Sequence, residues 1–108
     1  MLEEKLVTLE QYEEMSEFLK ALAHPLRLKI VDLLSDGELC VKDLCNILNA
    51  PQPTISQNIG ILKDAKIICY RKKAQKTCYR IKDKRALEIL KILKQPYMED
   101  CENKNTEE

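Results

Sequence analysis

Residues 41–81 read VKDLCNILNAPQPTISQNIGILKDAKIICYRKKAQKTCYRI, and the architecture turns on this stretch. Val41, Leu44, Ile47 and Leu48 return at helical spacing, giving a helix of about two turns ended by Asn49-Ala50-Pro51. Pro53 suits the first turn of the next helix, in which Ile55, Ile59 and Leu62 face inward. Gln52, Thr54, Ser56, Gln57 and Asn58 are left on the surface of that helix. Such a polar cluster is a poor choice for helix stability alone, since Ser, Thr and Asn are mediocre helix formers and Gly60 costs about 1 kcal/mol relative to Ala. From Ile67 the pattern becomes a β-hairpin: Ile-Ile-Cys-Tyr-Arg, a cationic tip Lys-Lys-Ala-Gln-Lys, then Thr-Cys-Tyr-Arg-Ile. The tip lacks the Asn-Gly or Gly-Gly that would fix its turn, so the strand register and the relation of Cys69 to Cys78 stay open.

Upstream, Leu6, Leu9, Tyr12, Met15, Leu19 and Leu22 mark an amphipathic first helix whose other face is rich in Glu. His24-Pro25 breaks the chain and starts a second helix with Leu26, Ile30, Leu33 and Leu34 inward, stopped at Ser35-Asp36-Gly37. A short extended Glu38-Leu39 follows. Downstream, Ala86, Leu87, Leu90 and Leu93, with Ile89 beside them, give a last helix up to Gln95-Pro96. The expected fold is mainly α with a small β-hairpin, about five helices and a two-stranded wing. Residues 1–97 form one domain in this reading, and 98–108 an acidic flexible tail.

The 108 residues, 44% apolar and 33% charged, suit one globular domain. Eighteen basic and eighteen acidic residues cancel, but residues 51–94 hold twelve Lys and Arg against three acids. A chain basic throughout is thus excluded, while one basic segment is present. No apolar run approaches a membrane span, and Glu3 and Glu4 beside Lys5 do not resemble a signal peptide. A cytoplasmic location without membrane contact is expected. There thiols stay reduced, so five cysteines argue for metal or redox chemistry or packing rather than a disulfide framework.

Two short helices joined by a tight turn, the second exposing polar side chains, and a basic hairpin directly after are the parts of a winged helix-turn-helix. Gln52, Gln57 and Asn58 offer amide groups suited to adenine, and Thr54 and Ser56 serve bases or phosphates. Lys63, Arg71, Lys72, Lys73 and Lys76 would neutralise backbone phosphate and set register on double-stranded DNA. The competing account is a solvated helix and a Lys-rich loop that protects a sheet edge. An enzyme is not expected, because no nucleophile lies beside an oriented base in any recognisable signature.

The chain resembles the ArsR/SmtB family of metalloregulatory repressors over about residues 10–95. The resemblance rests on Phe-Leu-Lys-Ala-Leu-Ala-His-Pro-Leu-Arg-Leu-Lys-Ile (18–30), Glu-Leu-Cys-Val-Lys-Asp-Leu-Cys (38–45), Gln-Pro-Thr-Ile-Ser-Gln-Asn-Ile (52–59), Tyr-Arg-Lys (70–72) and Tyr-Arg-Ile (79–81). It implies a homodimer held by the first and last helices, an inverted-repeat operator, and release on binding an inducer. Family recognition helices often carry His where Asn58 stands, which implies a different base preference there. Arg27, in the family's second-helix signature, is read as structural or phosphate-contacting.

In family sensors of arsenic, lead and cadmium the box reads Glu-Leu-Cys-Val-Cys-Asp-Leu, and here Lys42 replaces the second cysteine. Cys40 and Cys45 match the first and third thiols, with Cys69, Cys78 and Cys101 as further candidates for a thiophilic As(III), Cd(II) or Pb(II) inducer. On an ideal helix Cys40 and Cys45 would point about 140° apart, so chelation implies unwinding at the helix start. Burial as small hydrophobes is the competing reading, and a redox or persulfide response the variant mechanism. The family's zinc site across the last helices is not expected. Only Asp83 and Glu99 match it, Arg85 and Pro96 occupy the imidazole positions, and His24 is read as a helix-start residue.

Overall fold

A computed structural model describes residues 7–100. Five helices and one small sheet follow in the order α1 (Leu9–Leu22), α2 (Pro25–Leu34), β1 (Leu39–Cys40), α3 (Val41–Leu48), α4 (Gln52–Asp64), β2 (Ile68–Lys73), β3 (Lys76–Ile81) and α5 (Arg85–Leu93). Leu6 and Cys101, which entered the readings of the first helix and of the thiols, lie outside the described residues, as does most of the acidic tail.

Each helix boundary has a local cause. At α1, Thr8 Oγ1 accepts from the Gln11 amide at 3.2 Å while Gln11 Oε1 accepts from the Thr8 amide at 2.8 Å, a reciprocal capping box. At α2, Pro25 sits in the first turn and His24 Nδ1 accepts from the Leu26 amide at 3.1 Å, so the only histidine of the chain is a helix cap. Gly37, at φ 141°, turns the chain after α2 through a region that side chains disfavour. Asn49, at φ 53°, ends α3 in the left-handed conformation that Asn tolerates. The end of α4 is a full Schellman motif: the Lys66 amide bonds Lys63 O at 2.9 Å and the Ile67 amide bonds Leu62 O at 3.0 Å. Lys66 holds the left-handed position of that motif, at φ 64°, where glycine is usual.

The core is one cluster, in which Ile30, Val31 and Leu34 of α2, Leu44 of α3, Ile55, Ile59 and Leu62 of α4 and Leu90 of α5 meet Ile67 and Ile68. With one Phe, four Tyr and no Trp in the chain, Leu and Ile make up most of it. The apolar face of α1 is covered only at its C-terminal end. Leu22 is buried, whereas Leu9, Tyr12, Met15 and Leu19 are exposed, and so are Ile92 and Leu93 at the end of α5.

The wing differs from the expected two-stranded hairpin by a third strand. The sheet order is β1-β3-β2, antiparallel throughout, with Leu39 opposite Tyr79 and Cys40 opposite Cys78. In the hairpin Lys73 faces Lys76 and Arg71 faces Cys78, so Cys69 pairs with Arg80 and not with Cys78. The loop is two residues long, with Ala74 at φ 59°. A two-residue strand is too short to show a period of two in sequence, which is why only an extended Glu38-Leu39 was legible.

Candidate nucleic-acid interface and thiol groove

The α3–α4 turn sets α4 across the molecule with Gln52, Thr54, Ser56 and Gln57 exposed. No side chain caps its first turn, which leaves the amide end open to an anion. Lys63 lies in the last turn of the same helix, its Nζ 5.4 Å from the ring centroid of Tyr70 on β2. Lys72, Lys73 and Lys76 are exposed on the wing.

Two residues expected at the interface are engaged elsewhere. Asn58 is 6% exposed, correcting its placement on the surface. Its Oδ1 accepts from Arg27 Nη1 at 3.0 Å and its Nδ2 donates to Thr54 O at 2.8 Å. Arg27 also donates through Nε to Ala21 O and through Nη2 to Lys20 O, so one guanidinium closes the C-terminal carbonyls of α1 and anchors α4. A buried amide must find partners, and Arg27 supplies one from 31 residues away. Arg71 is the second: its Nε lies 2.7 Å from Glu38 Oε2 and its Nη2 donates to Glu38 Oε1 at 3.3 Å. This two-pronged pair fastens β2 to the segment entering β1.

The thiols sort into two places. Cys40 is the residue before α3, with φ −92° and ψ 169°, so its side chain does not follow the helical rotation. The 140° rotation of an ideal helix therefore does not describe this pair. Cys40 and Cys45 line one groove of about 580 Å³ together with Val41, Lys42, Gln52, Lys76 and Thr77. The groove is therefore walled by α3, the first residue of α4 and the wing. Asp43 accepts from both the Cys40 amide and Cys40 Sγ at 3.1 Å. These bonds, the thiol's first, hold the Asp43 carboxyl below its ordinary value.

Cys69 lies on the open side of the wing, where Arg80 Nε donates to its sulfur at 3.3 Å and the Arg80 pKa is raised in consequence. Among the described residues, no three His, Cys, Asp or Glu side chains converge as a metal-holding group. Asp83, one of the two residues matching the zinc motif, is held below its ordinary pKa by Arg85, whose Nη2 donates to its Oδ2 at 2.7 Å. Sequence reasoning missed the Arg27–Asn58 bond, the Glu38–Arg71 pair and the placement of Cys78 beside Cys40. Each depends on pairing between distant segments.

A helix-turn-helix pair with an exposed polar second helix and an adjoining cationic wing defines a winged helix-turn-helix DNA-binding regulator. No described helix is long and apolar enough to cross a membrane. The family model "bacterial regulatory protein, arsR family" matches residues 24–70. An uncharacterized HTH-type transcriptional regulator of Methanocaldococcus jannaschii is 42% identical over 79% of this chain and 97% of its own. The arsenical resistance operon repressor of Staphylococcus xylosus is 43% identical over 65% of this chain and 67% of its own. A solved homodimeric winged helix-turn-helix DNA-binding domain from Mycobacterium bovis, a possible ArsR-family regulator, superposes with a TM-score of 0.69 at 27% identity, covering 76% of each chain. The chain belongs to the ArsR family of bacterial regulatory proteins. It is a DNA-binding transcriptional repressor of that ArsR/SmtB type and not an enzyme.

Proposed function

We propose that this repressor acts as a homodimer on an inverted-repeat operator and is released when a thiophilic ion, As(III), Cd(II) or Pb(II), engages the thiolates of Cys40 and Cys45. The observation that supports the reading is the shared groove, lined by Cys40 and Cys45 as well as by Gln52 of α4 and Lys76 of the wing. An occupant there touches the three elements that would meet DNA. The exposed apolar stripe of α1 and the exposed end of α5 support the dimer, because one small domain leaves both without a partner. The Mycobacterium bovis domain of the same fold is homodimeric by its own description.

The donor set fits such an ion in part. Two soft sulfurs suit a thiophilic ion, and Lys42 occupies the position of a further family thiol. When bound, the ion would hold thiolates in place of thiols. Cys40 then has no S–H for Asp43, so the first turn of α3 loses one of its two bonds to that carboxylate. A ligand that prefers the loosened α3 shifts the population away from the DNA-competent arrangement.

The test is fluorescence anisotropy of the reduced protein on its own upstream duplex, with arsenite, Cd(II) and Pb(II) added separately. Release by one of these ions, abolished in the Cys40→Ser, Cys45→Ser double variant, is expected. Tight binding that none of them disturbs sinks the reading.

A further inference from the structure

The register of the sheet places a second thiol directly across from Cys40. Cys40 of β1 and Cys78 of β3 are opposed residues of an antiparallel pair, and two independent features identify the kind of pair. In the hairpin, the two-residue loop is closed by Lys73 and Lys76, so pairs alternate from that end and Arg71–Cys78 is a hydrogen-bonded one. The main-chain groups of Cys78 are thereby committed to β2, leaving its pairing with Cys40 non-hydrogen-bonded. The Cys40 amide agrees, since it donates to Asp43 Oδ2. In non-hydrogen-bonded pairs the Cα atoms lie about 4.5 Å apart and the side chains stand closest. That spacing lies within the range of about 4.4–6.8 Å that a disulfide spans. Cys69 has no such partner, being opposite Arg80.

We propose that Cys40 and Cys78 are a redox-closable dithiol, oxidised to an intramolecular disulfide by hydroperoxides and in that form withdrawn from the thiol groove. Cys78 is the more accessible of the two, half-buried against a buried Cys40. The Cys78 thiol gives up its proton and its sulfur attacks the peroxide oxygen, the O–O bond breaks, and the departing oxygen takes up that proton and leaves as alcohol or water while Cys78 becomes a sulfenic acid. Cys40 sulfur then attacks the Cys78 sulfur, the S–S bond forms and the S–O bond breaks. The Cys40 thiol proton passes by way of Asp43, which already accepts it in a hydrogen bond, and water leaves. The dithiol gives up two electrons, and the peroxide receives them.

The link joins the residue that caps α3 to the central strand of the wing. Cys40 cannot be a thiolate ligand and half of a disulfide at once, so oxidation and ion binding exclude one another. That last consequence rests on the ion reading above, whereas the disulfide itself does not.

The experiment treats the reduced full chain with one equivalent of hydrogen peroxide or an organic hydroperoxide and maps it by mass spectrometry without reduction. Trypsin separates the relevant thiols, since Cys40 falls in residues 30–42, Cys45 in 43–63, Cys69 in 67–71 and Cys78 in 77–80. The expected product has lost two hydrogens, links 30–42 to 77–80, is reversed by dithiothreitol and persists in Cys69→Ser. A link from Cys40 to any other cysteine, a link between protomers, or oxygen retained on Cys78 while Cys40 still alkylates overturns the proposal. The thiolate charge-transfer absorbance of added Cd(II) separates the two readings. Reduced protein without a band for Cd(II), and likewise for added Pb(II) and arsenite, disqualifies the ion and leaves the mapped disulfide standing. A band that survives full Cys40–Cys78 closure overturns the exclusion.

Discussion

Arg27 Nη1 donates to Asn58 Oδ1 at 3.0 Å, joining the start of α2 to the middle of α4. The same guanidinium closes the end of α1, so three helices share one side chain. Replacing Arg27 by Ala leaves a buried amide without its donor and is expected to cost about 2–3 kcal/mol in urea unfolding. Asn58→Ala should weaken DNA binding while leaving base preferences along the operator unchanged, whereas Gln57→Ala should relax them. Altered preference in the Asn58 variant would return that residue to base reading.

Besides Asn49, whose side chain tolerates it, two residues hold left-handed backbone where glycine is the ordinary occupant, Lys66 after α4 and Ala74 in the wing loop. Glycine removes the Cβ clash at the expense of unfolded-chain entropy. Lys66→Gly and Ala74→Gly should each raise stability by about 0.5–1 kcal/mol. Measurable destabilisation by either variant would contradict the backbone assignment.

Lys73 and Lys76 face one another across the wing, a like-charged pair that weakens the hairpin in isolation. Such a tip favours a polyanion as counter-charge. Operator affinity should fall with salt, and replacing Lys72 and Lys73 by Ala should reduce the slope of log K against log salt by about 1 for each phosphate contact removed. Arg71→Ala should act differently, through stability, because its charge is paired with Glu38. An unchanged slope in the double lysine variant would remove the wing from the interface.

Asp43 and Asp83 both titrate below their ordinary value of 3.8, the first through the Cys40 thiol and amide and the second through Arg85. A depressed folded pKa stabilises the protein above the unfolded value, and that contribution is lost as pH falls through the folded one. Acid unfolding should therefore gain a component below pH 3.8, absent at the α3 end in Asp43→Asn. Urea midpoints measured across this range, identical in slope for both proteins, would exclude the Cys40–Asp43 contact as its source.

The helices were legible because apolar spacing reports a local period, and Ile55, Ile59 and Leu62 of α4 are buried as that spacing required. The polar face of α4 was legible for Gln52, Thr54, Ser56 and Gln57. It failed at Asn58 because polarity indicates exposure only until another segment brings a donor. Strand β1 escaped because two residues carry no pattern, and with it went the register that places Cys78 across from Cys40. Cys40 stands one position outside α3, in extended backbone, so helical periodicity alone does not report where its side chain lies relative to Cys45.

Gln52 is both the first residue of α4 and part of the groove lined by Cys40 and Cys45. If the proposed ion binds there, signal and response meet within the reach of a single side chain, and no relay through the core is needed. Thermodynamic reciprocity then fixes a behaviour of the whole circuit: an ion that loosens the operator complex is itself bound more weakly by operator-bound protein, by the same factor. On that proposal the ion concentration needed to half-load the repressor depends on how much of it is on DNA, so added operator duplex should raise that concentration without any change in the protein.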